Sequence, residues 1–190
     1  MCKNKKICFF LDRDGTIIRH VHYLNKIEQV KFYKNLRKSI ELLKQFGKVF
    51  IITNQSAVAR GLLSEKDLLK INKYILNFIN KTNHLVDKIF FCPHHIDASV
   101  KIYKKDCHCR KPGTRFLQKI YSKNKFDKKK SWFIGDTYVD VKTANNFDIN
   151  SVLLRTGKRL KKNEFNAKPN FISNNLYDAS KKIINYLNEQ

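Results

Sequence analysis

Short apolar runs alternate with amphipathic segments along this chain, and this alternation restricts the fold more than any other feature. Six runs have the length and apolar content of buried strands: 7–11, 49–52, 89–91, 132–134, 152–154 and 171–172. Five segments have a helical period: 36–46, 64–79, 114–124, 141–147 and 176–187. The pattern predicts an α/β fold, a doubly wound and mainly parallel sheet of Rossmann-like type with helices on both faces.

The chain has 190 residues, of which 42% are hydrophobic and 12% aromatic. These values predict one globular domain, residues 1–190, with a core of its own. The sequence has no apolar stretch of the roughly 18 residues that a membrane span needs. Residues 1–6 lead directly into the first strand, so we expect no signal peptide and a cytoplasmic location. We also expect a monomer.

The net charge of +23 raises the question of a nucleic-acid partner. The lysines are scattered and form no compact stripe, and Lys, Asn and Ile share A/T-rich codons. We therefore expect no nucleic-acid partner, although a basic nucleic-acid-binding protein is the alternative. A negatively charged small substrate would be attracted by this field.

The first apolar run ends in two carboxylates, Asp12 and Asp14, followed by Gly15 and Thr16. Residues two apart in an extended segment point the same way, so both carboxylates are expected to face one reacting centre. One could attack and the other manage protons, with a hard divalent cation between them. Arg13 is expected to point away from both. The alternative interpretation is an ordinary Asp-Gly turn.

Two further strand ends carry polar side chains. A polar stretch follows the second run: Thr53, Asn54, Gln55 and Ser56. This stretch fits a phosphate cradle or, alternatively, a helix cap. Asp136 and Asp140 follow the fourth run, and all these ends should meet at one edge of a parallel sheet. Buried carboxylates without a cation are costly, so the sequence predicts a cation at this edge.

Three of the five cysteines cluster with a histidine in a loop at about residues 92–109: Cys92, His94, Cys107 and Cys109. In a reducing compartment this pattern indicates a metal rather than disulfides, and three thiolates with one imidazole match a closed structural zinc site. Zinc would stabilise a segment that has few apolar residues of its own. Incidental cysteines are the alternative, and His95 or His108 could replace His94. Cys2 and Cys8 are expected to be ordinary thiols.

Two cations, Arg110 and Lys111, follow the last cysteine and could bind a phosphate. Residues 17–30 have no helical period and predict a loop beside the end of the first strand. The side chains of His20, His22 and Tyr23 in that loop either contact substrate or, as the favoured alternative, are simply solvated.

Four motifs occur in order along the chain: Asp12-Arg13-Asp14-Gly15-Thr16, Thr53, Lys111-Pro112, and Gly135-Asp136 with Asp140. In these the chain resembles the haloacid dehalogenase-like phosphatases over nearly its whole length. Further stretches are similar to one family within that group, the D-glycero-D-manno-heptose-1,7-bisphosphate 7-phosphatases: 53–56, 59–61, 92–95, 107–112 and 155–158, the last ending at Lys158.

The resemblance implies a catalytic role for each carboxylate. Asp12 would attack phosphorus and become an aspartyl phosphate, while Asp14 would protonate the leaving oxygen and then activate water. Mg²⁺ would be held by Asp12, the backbone carbonyl of Asp14 and Asp136, with Asp140 orienting the site. The remaining site residues would stabilise the phosphoryl group or bind substrate: Thr53, Asn54, Gln55, Ser56, Arg110 and Lys111.

The resemblance further implies a Mg²⁺-dependent phosphatase that removes the 7-phosphate of the heptose bisphosphate in lipopolysaccharide core synthesis. Its partner would be a phosphorylated small molecule, and Zn²⁺ would be structural. The related histidinol-phosphate phosphatases are the first alternative. A nucleic-acid 3′-phosphatase is the second, although the sequence has no interleaved aromatic and basic residues that would build a nucleic-acid groove.

Overall fold

The computed structural model describes residues 6–157 and 166–189. Cys2 and Lys158 lie outside these described residues. The described chain contains six strands: β1 (Ile7–Leu11), β2 (Gly47–Asn54), β3 (Lys88–Cys92), β4 (Trp132–Gly135), β5 (Asn150–Leu154) and β6 (Phe171–Ser173). They form one sheet of order β3-β2-β1-β4-β5-β6, in which every neighbouring pair is parallel. The predicted doubly wound parallel sheet is confirmed.

The helices follow the strands in the predicted alternation. They are α1 (Leu36–Lys44), α2 (Ser56–Ala59), α3 (Glu65–Ile79), α4 (Arg115–Asn124), α5 (Tyr138–Asn145) and α6 (Leu176–Asn188). At the start of α3 the Ser64 hydroxyl accepts the backbone N–H of Asp67 over 3.0 Å, which caps the helix. The sequence did not predict α2 or the 3₁₀ turns Ile27–Gln29 and Lys101–Tyr103, because these elements are too short to show a period.

The central strand β1 is buried on both sides of the sheet. Phe9 and Leu11 pack on one face in a cluster that includes residues of α1, α3 and α6. Cys8 and Phe10 pack on the other face, with residues of α4 and α5. The two-residue period of a strand produces this division, and burial on both faces explains why the run is apolar throughout.

The parallel arrangement brings the carboxyl ends of β1, β2 and β4 to one edge of the sheet. The segment between β3 and α4 carries only a short 3₁₀ turn, and within the described ranges no separate cap domain stands over that edge. No helix in the described part of the chain is both long and apolar enough to cross a bilayer.

Candidate active site

A pocket of about 320 Å³ opens at the carboxyl edge of the sheet. Its walls come from five regions of the chain: residues 12–14, 20–24, 53–57 and 110–111, and Asp136 and Thr137 with Val139. Every residue that the sequence analysis placed at the sheet edge contributes to this wall except Asp140, which lies buried beneath it. Residues far apart in sequence therefore share one cavity.

Lys111 is the central cation of the site. Its ammonium donates to Asp12 Oδ1 over 2.7 Å and to Asp140 Oδ1 over 2.6 Å, and its side chain is 4% exposed. The Asp140 carboxylate also accepts from the hydroxyl of Thr137 over 2.6 Å and from its backbone N–H over 3.1 Å. These contacts belong to a capping box at the start of α5. The helix cap therefore orients Asp140, one of the two carboxylates that accept a hydrogen bond from Lys111.

Three buried carboxylates approach one another at this point, with oxygens of Asp12, Asp136 and Asp140 within 4.8 Å. Lys111 is hydrogen-bonded to two of the three, Asp12 and Asp140. The pKa of Asp12 is raised from 3.8 to about 6, mainly by burial. Lys111 opposes this rise, and the negative charge of Asp140 adds to it. Burial alone would lower the pKa of Lys111, but the two carboxylates outweigh it and the pKa is raised. A cluster of carboxylate oxygens of this kind fits a hard divalent cation such as Mg²⁺.

Two glycines make room for the Asp136 carboxylate, because neither has a side chain that would overlap it. Gly15 has a φ of +89°, in the region that glycine adopts readily, and a Cβ at this position would overlap the Asp136 carboxylate. A Cβ at Gly157 would overlap the same carboxylate. The Thr156 hydroxyl donates to the Gly15 carbonyl over 2.6 Å, which ties these two backbone segments together.

Arg13 binds Asp14, and the expectation that it points away from the carboxylates was wrong. Its Nε donates to Asp14 Oδ2 and its Nη2 to Asp14 Oδ1, each over 3.1 Å. The strict alternation of an extended strand ends at Leu11, and the N–H groups of Ile17 and Ile18 both bond to the Arg13 carbonyl. The backbone turns here, so side-chain directions no longer follow the two-residue period.

The polar stretch after β2 forms hydrogen bonds within the site. Gln55 donates through Nε2 to Asp14 Oδ2 over 2.7 Å and to the Thr53 hydroxyl over 2.8 Å. Asn54 exchanges two hydrogen bonds with the backbone of Lys111, at 2.9 and 3.0 Å. Ser56 begins α2 and lines the pocket. Three of these residues, Thr53, Asn54 and Gln55, therefore position catalytic candidates or one another.

The cysteine loop brings four metal-ligand atoms together: the sulfurs of Cys92, Cys107 and Cys109 and Nδ1 of His94. The three sulfur pairs lie 3.2 to 3.4 Å apart, and His94 Nδ1 is 3.3 Å from Cys109 Sγ. Tetrahedral ligands of zinc lie roughly 3.5–3.8 Å from one another, so this donor set fits Zn²⁺ with little adjustment.

His95 and His108 are outside the ligand cluster that the described residues form. Nδ1 of His95 instead accepts the backbone N–H of Asp97 over 3.0 Å. Burial raises the pKa of the Cys92 thiol. A bound metal would reverse it, because a coordinating thiol is deprotonated.

The loop of residues 17–30 forms part of the pocket wall. His20 and His22 are exposed, yet both line the cavity together with Tyr23. Tyr23 has a φ of +51° and its ring lies 5.9 Å from the Arg60 guanidinium. Arg110, which also lines the pocket, donates to the carbonyl of His94 over 3.2 Å. The loop is thus placed to contact a substrate, which the sequence analysis had treated as the less favoured alternative.

Sequence reasoning missed Asn72, whose Oδ1 accepts from Arg13 Nη1 over 2.9 Å. A signal was available, since Asn72 interrupts the apolar stripe of Leu68, Ile75 and Ile79 on α3. A polar residue on a buried helix face usually has a polar partner.

A HAD-hydrolase-like family model matches residues 108–179. The chain is 34% identical to the D-glycero-alpha-D-manno-heptose-1,7-bisphosphate 7-phosphatase of Photorhabdus laumondii, over 96% of this chain and 100% of the relative. It is 37% identical to the D-glycero-beta-D-manno-heptose-1,7-bisphosphate 7-phosphatase of Rhodopseudomonas palustris, over 71% of this chain and 76% of the relative.

Among solved structures, the chain is similar to the D,D-heptose 1,7-bisphosphate phosphatase of B. bronchiseptica, which was crystallised with magnesium and phosphate. The TM-score is 0.80 at 23% identity, and the match covers 97% of this chain and 99% of the other.

Proposed function

Since this chain belongs to the heptose-1,7-bisphosphate 7-phosphatases, a family of haloacid dehalogenase-like phosphoric monoester hydrolases, we propose that it removes the 7-phosphate of D-glycero-D-manno-heptose 1,7-bisphosphate. The reaction would serve the synthesis of heptose for the lipopolysaccharide core. The partner is a phosphorylated sugar. The strongly positive chain, with a net charge of +23, attracts such an anion.

Asp12 is the proposed nucleophile. Its carboxylate lies at the end of β1 in the pocket, where an oxygen can approach phosphorus in line with the leaving oxygen. Mg²⁺, held by Asp12, Asp136 and the backbone carbonyl of Asp14, would supply positive charge to the phosphoryl oxygens. Lys111 keeps its proton because its pKa is raised, so its ammonium group places a further cation beside Asp12. The product of this step is a phosphorylated Asp12.

Asp14 is the proposed acid and base. In the first step its proton passes to the sugar oxygen as the bond from phosphorus to that oxygen breaks. In the second step the resulting carboxylate takes a proton from water as the water attacks the phosphorylated Asp12. Gln55 donates to Asp14 Oδ2 over 2.7 Å and limits the directions in which this carboxylate can point.

The remaining site residues would bind the substrate and hold the loops in place. The Thr53 hydroxyl accepts from Gln55, so its own hydrogen remains available for a phosphoryl oxygen. Arg110 and Ser56 line the same pocket and would contact the substrate. Asn54 would act through the Lys111 backbone that it holds. Zn²⁺ on Cys92, His94, Cys107 and Cys109 would fix the loop that carries Arg110 and Lys111.

One observation carries the proposal: three carboxylates and one lysine, drawn from three motifs of the chain, meet at the pocket or directly beneath its wall. The protein is related over nearly its full length to these phosphatases. A role in packing alone does not account for three carboxylates within 4.8 Å of one another, because like charges repel and burying them costs free energy.

Phosphate release from four substrates tests the proposal: the α and β anomers of the heptose 1,7-bisphosphate, histidinol phosphate, and a 3′-phosphorylated oligonucleotide. We expect a heptose bisphosphate to be hydrolysed with the highest kcat/KM. Phosphorus NMR of the product should show that the phosphate at C1 remains. Preferential hydrolysis of histidinol phosphate or of the oligonucleotide would contradict the proposal. Omission of Mg²⁺ should abolish turnover.

A further inference from the structure

Arg13 is a fully buried cation beside the site, and the chemistry proposed above does not use it. Its guanidinium meets both oxygens of Asp14 through two nitrogens. A two-point contact of this kind fixes the plane of a carboxylate as well as its position. With the hydrogen bond from Gln55, the Asp14 carboxylate accepts three hydrogen bonds, which restrict its rotation.

Asn72 holds the guanidinium on its other side. Its Oδ1 accepts from Arg13 Nη1 over 2.9 Å, and the residue is 4% exposed within the apolar stripe of α3. A buried amide in such a stripe requires a polar partner, and Arg13 supplies one. The contacts from Asn72 to Arg13 to Asp14 thus connect a core helix to the proposed acid and base.

We propose that Arg13 is a positioning residue that, held by Asn72, orients the Asp14 carboxyl for proton transfer to the leaving oxygen. The inference rests on the proposed function. In the first step the bond from Asp12 to phosphorus forms, the bond from phosphorus to the sugar oxygen breaks, and the Asp14 proton goes to that oxygen. The donor must stand at hydrogen-bond distance from that oxygen, and a displacement of about 1 Å can reduce the rate about 100-fold.

Two substrates with different leaving groups separate this role from a general loss of structure. A sugar phosphate needs a proton on its leaving oxygen, whereas p-nitrophenolate leaves p-nitrophenyl phosphate without one. The rate of the first turnover, measured by rapid quench, reports the phosphorylation of Asp12 alone. In Arg13→Lys, which keeps the charge but loses the two-point contact, we expect this rate to fall about 100-fold with the sugar phosphate. The burst of p-nitrophenol should keep nearly the wild-type rate.

Asn72→Ala tests the same contacts without changing a neighbour of Asp14, in case Arg13→Lys does not fold. We expect a smaller loss with the same selectivity for the sugar phosphate. Ile79→Val, two turns further along α3, loosens the same helix and is the matched control, and it should slow neither substrate. The proposal would be overturned if Arg13→Lys and Asn72→Ala slowed the first turnover of both substrates equally. It would also be overturned if they slowed neither.

Asp14→Asn provides the reference for complete loss of proton transfer and should show the strongest selectivity between the two substrates. Equal loss with both substrates in Asp14→Asn would contradict the role of Asp14 itself, and the role of Arg13 with it. A different result would be that Asp14→Asn slows the sugar phosphate more than p-nitrophenyl phosphate while Arg13→Lys slows both equally. That result would contradict the role of Arg13 alone. If the protein does not hydrolyse the heptose bisphosphate, only the proposed substrate is wrong. The role of Arg13 can still be tested with any sugar monophosphate that the protein hydrolyses.

Discussion

Lys111 Nζ lies 2.7 Å from Asp12 Oδ1 and so joins two residues that are 99 positions apart in the chain. The contact depends on Asn54, which holds the Lys111 backbone at the end of β2. Asp140 accepts from the same ammonium, so one cation serves two buried anions. The consequences of this arrangement can be tested by removing its members singly.

Lys111→Met should abolish turnover and destabilise the metal-free protein. The substitution leaves Asp12 and Asp140 buried without their cation, and breaking a buried ion pair from one side costs about 3–5 kcal/mol. Urea denaturation in the presence of a chelator measures the loss, and Mg²⁺ should restore part of it. Lys123→Met, at an exposed position of α4, is the control and should change the free energy of unfolding by less than about 0.5 kcal/mol. An unchanged stability for Lys111→Met would contradict the ion-pair arrangement.

Asp12→Asn should abolish turnover while the protein remains folded, because an amide cannot form the aspartyl phosphate. The free energy of unfolding of the metal-free protein at neutral pH should not fall, since a buried charge that burial disfavours is replaced by a neutral group of the same shape. Steady-state phosphate release and circular dichroism measure the two effects. Substantial turnover in this variant would show that Asp12 is not the nucleophile.

The stability of the metal-free protein should depend on pH through Asp12. Burial, opposed by Lys111, raises the pKa of this carboxyl from 3.8 to about 6. The folded state therefore holds the proton more tightly than the unfolded state, and the free energy of unfolding falls as pH rises from about 4 to about 6. The expected fall is roughly 3 kcal/mol. Asp12→Asn lacks this titration, so the difference between wild type and variant across the window isolates it; a constant difference would contradict the prediction.

Cys107→Ser should reduce bound zinc and lower stability, while the Mg²⁺ dependence of any remaining activity stays the same. The substitution removes one of three thiolates from a closed ligand set, and zinc binding contributes to the folding of such loops. Atomic absorption gives the zinc content per chain. Cys8→Ser is the matched control because Cys8 is buried in β1 outside the cluster, so its variant should retain zinc even if it is less stable. Retention of one zinc per chain by Cys107→Ser would argue against this ligand set.

Gly157→Ala should weaken the response to Mg²⁺. A Cβ at this position would overlap the Asp136 carboxylate. The carboxylate must then move away from the cluster of possible metal ligands that it forms with Asp12. We expect the Mg²⁺ concentration for half-maximal activity to rise about tenfold, a change equivalent to about 1.4 kcal/mol of binding free energy. Gly47→Ala is the control, since its Cβ would overlap the Ile7 carbonyl in the sheet and should affect stability alone. An unchanged Mg²⁺ response in Gly157→Ala would contradict the role of Asp136.

The sequence by itself determined the order of strands and helices and the position of the polar residues at strand ends. The apolar runs at β1, β2 and β4 indicate strands buried on both faces, and burial of this kind requires helices on both sides of a parallel sheet. That topology brings Asp12, Thr53 and Asp136 to one edge, whatever the details of the loops. The spacing of the cysteines likewise predicted a ligand cluster that the folded loop assembles.

Only the tertiary structure decided where individual side chains point once the chain leaves a regular element. Arg13 binds Asp14 instead of pointing away, His94 and not His95 or His108 joins the cysteines, and Tyr23 lines the pocket. Periodicity determines side-chain direction only while the backbone dihedrals repeat. In turns and loops the direction depends on hydrogen bonds with residues distant in sequence, such as the one from Arg13 to Asn72, and these contacts exist only after the sheet and helices have packed.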